Sequence, residues 1–325
     1  MHKKLSVIFL IIIVITTFYY CANKKPVFKS ETDISQNADI AEIEAVEEPP
    51  PPTRAELVMR ALMKAYPDKI EQVEFLNDDW ALLLKGSWYY YAGGRLLPKS
   101  ELENSSNYRS MQFYNYPADL PEWVDRTDEE SRRYSSWTNT GSSGNRSQVQ
   151  VRRSNFFLDS LWQAATQSET ERRLVNFNFF GKQARVHQEI HEKLIIVEAK
   201  VREIARTEPE VQTWINNIGT LESYGWRNIA VTDSRSYHAF GLAVDILPRS
   251  LGRLQTYWLW TSQYGRDWWN VSYSERYHPP VSVVKTFESH GFVWGGKWQQ
   301  FDTMHFEYRP EILILAGLTV IGLND

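Results

Sequence analysis

The chain has 325 residues, a formal net charge of -4 and 23% charged residues. A hydrophobic content of 42% is enough to bury a core, which excludes wholesale disorder, and 36 Lys and Arg against 40 Asp and Glu leave no basic excess that would make nucleic acid a partner. One cysteine, Cys21, excludes an internal disulfide and any Cys-built zinc centre, so a metal would have to be held by His and carboxylates.

The chain opens on His2, Lys3 and Lys4, followed by Leu5 to Tyr20, sixteen residues without a charge. A short basic start before an apolar run has the pattern of an export signal. The run is slightly shorter than the roughly 20 residues of a full membrane span. Cys21 stands just after it, where a bacterial lipoprotein carries its lipid-modified cysteine, although Tyr19 and Tyr20 occupy the place of the usual small residue. Residues 1–21 therefore read as a lipoprotein signal, an uncleaved anchor or a cleaved signal. All three place the bulk of the chain in the cell envelope, outside the cytoplasmic membrane, and the first two tether it there. Residues 22–53 read as a disordered spacer: acidic from Glu31 to Glu48, with no Lys or Arg there, and ending in Pro49 to Pro52.

Residues 54–66 have helical spacing, with Leu57, Met59, Leu62 and Met63 set against Arg54, Glu56, Arg60 and Lys64. Residues 80–98 read as short strands with turn signals at Lys85-Gly86-Ser87 and Gly93-Gly94, completing a small α+β unit at 54–125. Trp88 to Tyr91 either pack a small sheet or stack on a ligand. Residues 126–154 are a polar linker rich in Ser, Thr, Asn and Gly. From Asn155 the pattern turns helical. Ser168 to Glu171 has capping-box spacing, and Lys182 to Thr207 is expected to form one long helix with a stripe from Val186 through Ile190, Leu194, Val197 and Val201 to Ile204. Ile312 to Leu323 is apolar but too short to span a membrane, and is expected to pack as a terminal strand or helix.

Two histidine groupings compete for a metal. His187 and His191 stand four residues apart, which on a helix puts both imidazoles on one face. The helical metalloprotease motif needs Glu directly after the first His, however, and Gln188 is there. The second grouping begins at Ser234-Arg235-Ser236-Tyr237-His238 and runs through Gly241 to Asp245. Leu242, Val244 and Ile246 alternate with Ala243, Asp245 and Leu247, a period of two that places Asp245 on a strand. A carboxylate inside such a strand is costly unless paired or metal-bound. Sixty residues on, Asp302 precedes His305 by three in another apolar and aromatic stretch. His238, Asp245 and His305 make a two-nitrogen, one-oxygen set with one position left open, the pattern of a catalytic zinc ion that acidifies water to a pKa of about 7. Asp302 is then placed as general base turned acid. The competing reading is a buried His-Asp pair with an unrelated core histidine.

The pattern His238-x-x-Gly-x-Ala-x-Asp245, with a later acid-x-x-His, resembles the M15 zinc D,D-peptidases, which include the VanY and VanX types and phage endolysins. The resemblance covers about residues 223–310. It implies an α+β domain, a small antiparallel sheet with flanking helices, within residues 155–325. It further implies one Zn2+ on His238, Asp245 and His305, with Asp302 as general base. Where the carboxypeptidase branch generally has Glu, this chain has Asp302, which is similar to the endolysin branch cutting the L-alanyl–D-glutamate bond. By the same resemblance Ser236 contacts substrate, and an upstream arginine, Arg227 or Arg235, grips a substrate carboxylate. A planar guanidinium fork suits that work. The implied substrate is the stem peptide of peptidoglycan, cut next to a D-residue. The alternative is an envelope protein that keeps zinc for structure and binds peptidoglycan without cutting it.

Overall fold

The computed structural model describes residues 51–111, 113–139, 151–229 and 234–323. The apolar run Leu5–Tyr20, Cys21 and nearly all of the acidic spacer lie outside the described residues. Among the described residues, no helix is long and apolar enough to cross a membrane.

The first helix, α1 (Arg54–Ala65), begins where the Thr53 hydroxyl accepts a hydrogen bond from the Glu56 amide, and it buries Val58, Met59 and Leu62. An antiparallel meander follows: β1 (Ile70–Leu76), β2 (Asp79–Leu84), β3 (Ser87–Tyr90) and β4 (Leu97–Pro98). Its turns at Asn77-Asp78 and Lys85-Gly86 have positive φ at both central residues, the geometry that suits the twist of a two-residue hairpin. Tyr89 and Tyr90, on opposite faces of β3, are both buried, so these rings pack the unit's interior. Inside the stretch expected as linker, residues Asp128–Asn139 form helix α2. Next come α3 (Phe156–Trp162) and the short α4 (Gln167–Glu171), whose capping box uses Thr166 and Glu169, two residues earlier than expected.

The long helix expected over Lys182–Thr207 is corrected by the structure. Residues Leu174–Phe179 (β5) and Lys182–His187 (β6) form a hairpin, and helix α5 covers only Gln188–Ile204. The turn is Phe180-Gly181, again with positive φ at both positions. Phenylalanine rarely adopts that conformation, so the turn carries little sequence signal. Val186 is buried both as a strand residue and as the apparent first member of the helical stripe, which is why one pattern concealed two elements.

Helix α6 (Pro209–Asn217) leads into the second sheet: β7 (Ile218–Glu222), β8 (Ala243–Pro248), β9 (Phe292–Trp294) and β10 (His305–Tyr308). Its order is β7-β8-β10-β9, antiparallel throughout. Helices α7 (Trp258–Gln263) and α8 (Val281–Ser289) lie in the long connection between β8 and β9. The apolar tail begins as helix α9 (Pro310–Leu315), with Ile312 and Leu313 buried. This is an α+β fold of small antiparallel sheets with flanking helices.

The apolar stripe of α5 supplies Ile190, Leu194, Val197 and Val201 to the core, all fully buried. Phe287 of α8 stacks on Phe306 of β10 at 4.0 Å between ring centroids, holding the helix on the central strand. Each such buried side chain is worth about 1.5–3 kcal/mol. Val58, Met59 and Leu62 of α1 join the same core cluster as Val244 of β8 and Phe306. Helix α1 also packs on α9, so the residues of the 54–125 unit and the second sheet share one core within residues 51–325.

Candidate active site

Strand register brings the first two site residues together. His305 of β10 pairs directly with Asp245 of β8, so both side chains leave the same face of the sheet. His238 reaches them from a 3-10 turn, Tyr237–Phe240, which ends at Gly241 with a φ of 71°. A Cβ at Gly241 would also stand 2.6 Å from the Leu174 side chain and 2.8 Å from the His187 amide nitrogen, so only glycine fits this bend.

The ligand atoms converge. His238 Nε2 lies 3.1 Å from Asp245 Oδ1 and 3.2 Å from His305 Nδ1, and His305 Nδ1 lies 2.8 Å from the same Asp245 oxygen. All three residues are buried, and together they form a group able to hold one metal ion. The remaining ring nitrogens have partners of their own. His238 Nδ1 is 2.5 Å from the Ser223 carbonyl oxygen, and His305 Nε2 is 3.1 Å from Glu307 Oε2. With a metal bound, those partners would take the N–H protons, leaving His238 Nε2 and His305 Nδ1 to face the ion.

The electrostatics fit a cation. Burial pushes the Asp245 carboxyl up, yet the His238 imidazole, followed by His305, overrides burial and holds it well below the usual carboxylate range. Burial disfavours the charged form of His305, but hydrogen bonds to Asp245 and Glu307 hold it well above its ordinary value. The carboxylates of Asp245 and Glu307 thus favour positive charge at the centre of the cluster.

Asp302 stands beside this group. Its amide nitrogen donates to the Gly295 carbonyl at 3.0 Å, and a Cβ at Gly295 would approach the Asp302 carbonyl oxygen to 2.5 Å. Glycine at 295 therefore lets the Asp302 segment close in. Burial, then the Asp245 charge, pushes the Asp302 carboxyl up to about 8. Its Oδ1 is buried without a hydrogen-bond partner among the described residues. A buried carboxyl oxygen left unpaired beside His305 and Asp245 is the second observation, besides the converging donor set, that fits a metal at this centre.

The structure separates the two candidate arginines. The Arg235 guanidinium donates to Asp159 Oδ1 at 2.7 Å and to the Ala164 carbonyl oxygen at 2.6 Å, and it lies over the Trp226 and Phe240 rings. Its fork is already occupied. Arg227 is exposed and borders, with Trp226, Asn228 and Arg235, an open cavity of about 280 Å³ beside the His238 turn. No metal-site residue lines that cavity. Ser236 is buried, and its hydroxyl accepts from the His238 amide at 3.3 Å, so it caps the turn that carries the first imidazole.

Two further residues escaped the sequence reading. Tyr257 pairs with Asp302 through an isolated β-bridge, and its hydroxyl is pushed up to about 12 by burial, then by the Asp302 and Asp245 charges, with Arg227 opposing them. It is a neutral hydrogen-bond donor at the edge of the site. Glu307 is the other, buried behind His305. Its signal was present in the alternation His305, Glu307, Arg309, three polar residues on one face of an otherwise apolar strand.

These features define a buried His-Asp-His centre with an adjacent carboxyl, a donor set able to hold one metal ion. Residues 230–308 match the profile of an M15 peptidase family described as D-alanyl-D-alanine carboxypeptidase, which supports M15 membership for this segment and a peptidase activity. Residues 58–113 match a family described as a domain of unknown function (DUF8518). No curated protein and no solved structure matches the chain.

Proposed function

We propose that this chain is a zinc-dependent peptidase of the cell envelope that hydrolyses the stem peptide of peptidoglycan at a bond next to a D-residue. One observation carries the reading: His238 Nε2, Asp245 Oδ1 and His305 Nδ1 converge, within a segment that matches a D-alanyl-D-alanine carboxypeptidase family. The basic start and apolar run at Leu5–Tyr20 support export and tethering at the membrane, through Cys21 or through the run itself.

His238, Asp245 and His305 would hold the zinc ion. When bound, zinc supplies Lewis acidity, polarising a carbonyl and making water acidic near neutral pH. Asp302 is the proton carrier. Burial, then the Asp245 charge, keeps its proton on; with zinc held by Asp245 the second cause would be opposed, and Asp302 would accept a proton and return it to the departing amine. Arg227, exposed and without a carboxylate partner among the described hydrogen bonds, grips the carboxylate of the substrate. Tyr257 stays protonated near neutral pH and offers its hydroxyl to a substrate oxygen.

Mass analysis of purified muropeptides, incubated with and without a chelator, tests the reading. Loss of a terminal D-Ala marks carboxypeptidase action, and cleavage behind L-Ala marks endopeptidase action. Either product, abolished by the chelator, is the expected result. Intact muropeptides bound by a zinc-loaded protein would replace the enzyme with a binding protein.

A further inference from the structure

Behind the metal-site histidine runs a line of buried charged groups that the reaction does not use. Strand β10 sets His305 and Glu307 on one face, and Arg309 follows on the same alternation. Glu307, Arg309 and Glu311 are exposed by only 7%, 3% and 2%, a degree of burial that charged groups tolerate only when paired. They are paired in sequence. His305 Nε2 lies 3.1 Å from Glu307, Arg309 Nη1 lies 3.5 Å from Glu307, and Arg309 Nε donates to Glu311 at 2.5 Å. The Tyr66 hydroxyl then donates to the other Glu311 oxygen at 2.8 Å. Tyr66 is the C-terminal cap of α1 and lies inside the segment that matches the domain of unknown function.

A second contact reaches His305 from the same part of the chain. The Trp298 ring packs against the His305 ring at 5.4 Å, and its indole N–H donates to the Tyr114 hydroxyl at 2.8 Å. Tyr114 follows directly on the 58–113 segment. The His305 ring is thus held from two directions, both leading back to the N-terminal unit.

We infer that Glu307 is a positioning residue for His305, and that the N-terminal unit anchors it through Arg309, Glu311 and Tyr66 so that Nδ1 faces the metal. The inference rests on the zinc reading above. The physical reason is direct: an imidazole that binds a metal through Nδ1 must carry its proton on Nε2, and a carboxylate accepting that proton fixes the tautomer, aims the ring and raises its basicity. The cost of a carboxylate in that position is offset by Arg309, and that of Arg309 by Glu311. The relay therefore stands or falls as a set. On this account the 58–113 segment braces the rear of the metal site.

Zinc affinity of the full chain, measured by competition with a chelator, tests this. Glu307→Ala is expected to weaken zinc binding by about 10- to 100-fold. Glu307→Gln keeps an acceptor oxygen for the Nε2 proton and should restore most of that loss. Tyr66→Phe, which keeps the ring and removes one hydrogen bond, should weaken binding by about 2- to 10-fold. In the zinc-loaded wild-type protein, 15N NMR should find the His305 proton on Nε2, a reading that needs no variant to fold. A proton on Nδ1, or a folded Glu307→Ala with wild-type affinity, would overturn the positioning role. Unchanged affinity in Tyr66→Phe would overturn the link to the N-terminal unit. A wild-type chain that binds no zinc would sink the peptidase reading, and this inference with it.

Discussion

Two pairs of histidines in this molecule look equally suited to a metal by residue type, and only one pair converges. His187 and His191 are four apart in sequence, yet His187 ends strand β6 and caps α5 rather than lying on the helix. Its Nε2 lies 3.1 Å from the Trp162 carbonyl oxygen, and its Nδ1 accepts from the Glu189 amide at 3.3 Å. Backbone groups occupy both nitrogens. His191 instead packs its ring edge-on against Phe177 at 4.8 Å. His238 and His305 lie 67 residues apart, but each gives one nitrogen to a backbone or carboxylate partner and turns the other toward Asp245. What makes a histidine a ligand here is where its second nitrogen goes, not how near the next histidine stands in the chain.

Metal removal is the largest effect expected from that contrast. His238→Ala should abolish stoichiometric zinc, whereas His187→Gln should leave it intact, as elemental analysis of the folded proteins would reveal. Zinc lost from His187→Gln and kept by His238→Ala would reverse the assignment. Next in size is Asp302→Ala, which should keep zinc and lower kcat by about 10²- to 10⁴-fold. Normal turnover in that variant would remove Asp302 from the chemistry.

The arginines sharpen the contrast between groups that are free and groups already engaged. Arg227→Ala should raise KM for a peptide with a free carboxylate by about 10- to 100-fold at unchanged Tm. Arg235→Ala should instead lower Tm, because it leaves Asp159 half-buried and unpaired; burial already pushes that carboxyl up to about 6 despite Arg235. A KM effect confined to Arg235→Ala would exchange the two roles.

The smallest effect is a pH dependence. Burial lowers His187 to about 4, below its ordinary 6.5, with its bond to the Trp162 carbonyl opposing the shift. The folded state then binds this proton more weakly than the unfolded state does. The stability is complete above about pH 6.5 and is lost as pH falls toward 4, amounting to about 2 kcal/mol by pH 5. Denaturation of wild type and His187→Gln at pH 7 and pH 5 measures it: the wild type should lose more. Equal losses would show that His187 is not the titrating group.

The two halves of the site were legible because their signals are local, while the family resemblance joined them across sixty residues. Period-two alternation around Asp245 gave the strand, Gly241 gave the bend, and Asp302 and His305 fell three apart in an apolar stretch. The β5–β6 hairpin was hidden because Phe180 takes a conformation its side chain disfavours, and because Val186 satisfied both periodicities. The different standing of Arg227 and Arg235 depends on Asp159, 76 residues away from Arg235, and no local pattern points to it. The contact between Tyr66 and Glu311 spans 245 residues, so the joining of the 54–125 unit to the metal site's strand had no sequence signature either.

Zinc K-edge absorption on the full chain tests the central claim most directly. One zinc per chain is expected, with a purely nitrogen and oxygen shell at about 2.0–2.2 Å, including two imidazoles, and its loss in His305→Ala. A sulfur in that shell, or the same spectrum in His305→Ala, would contradict it.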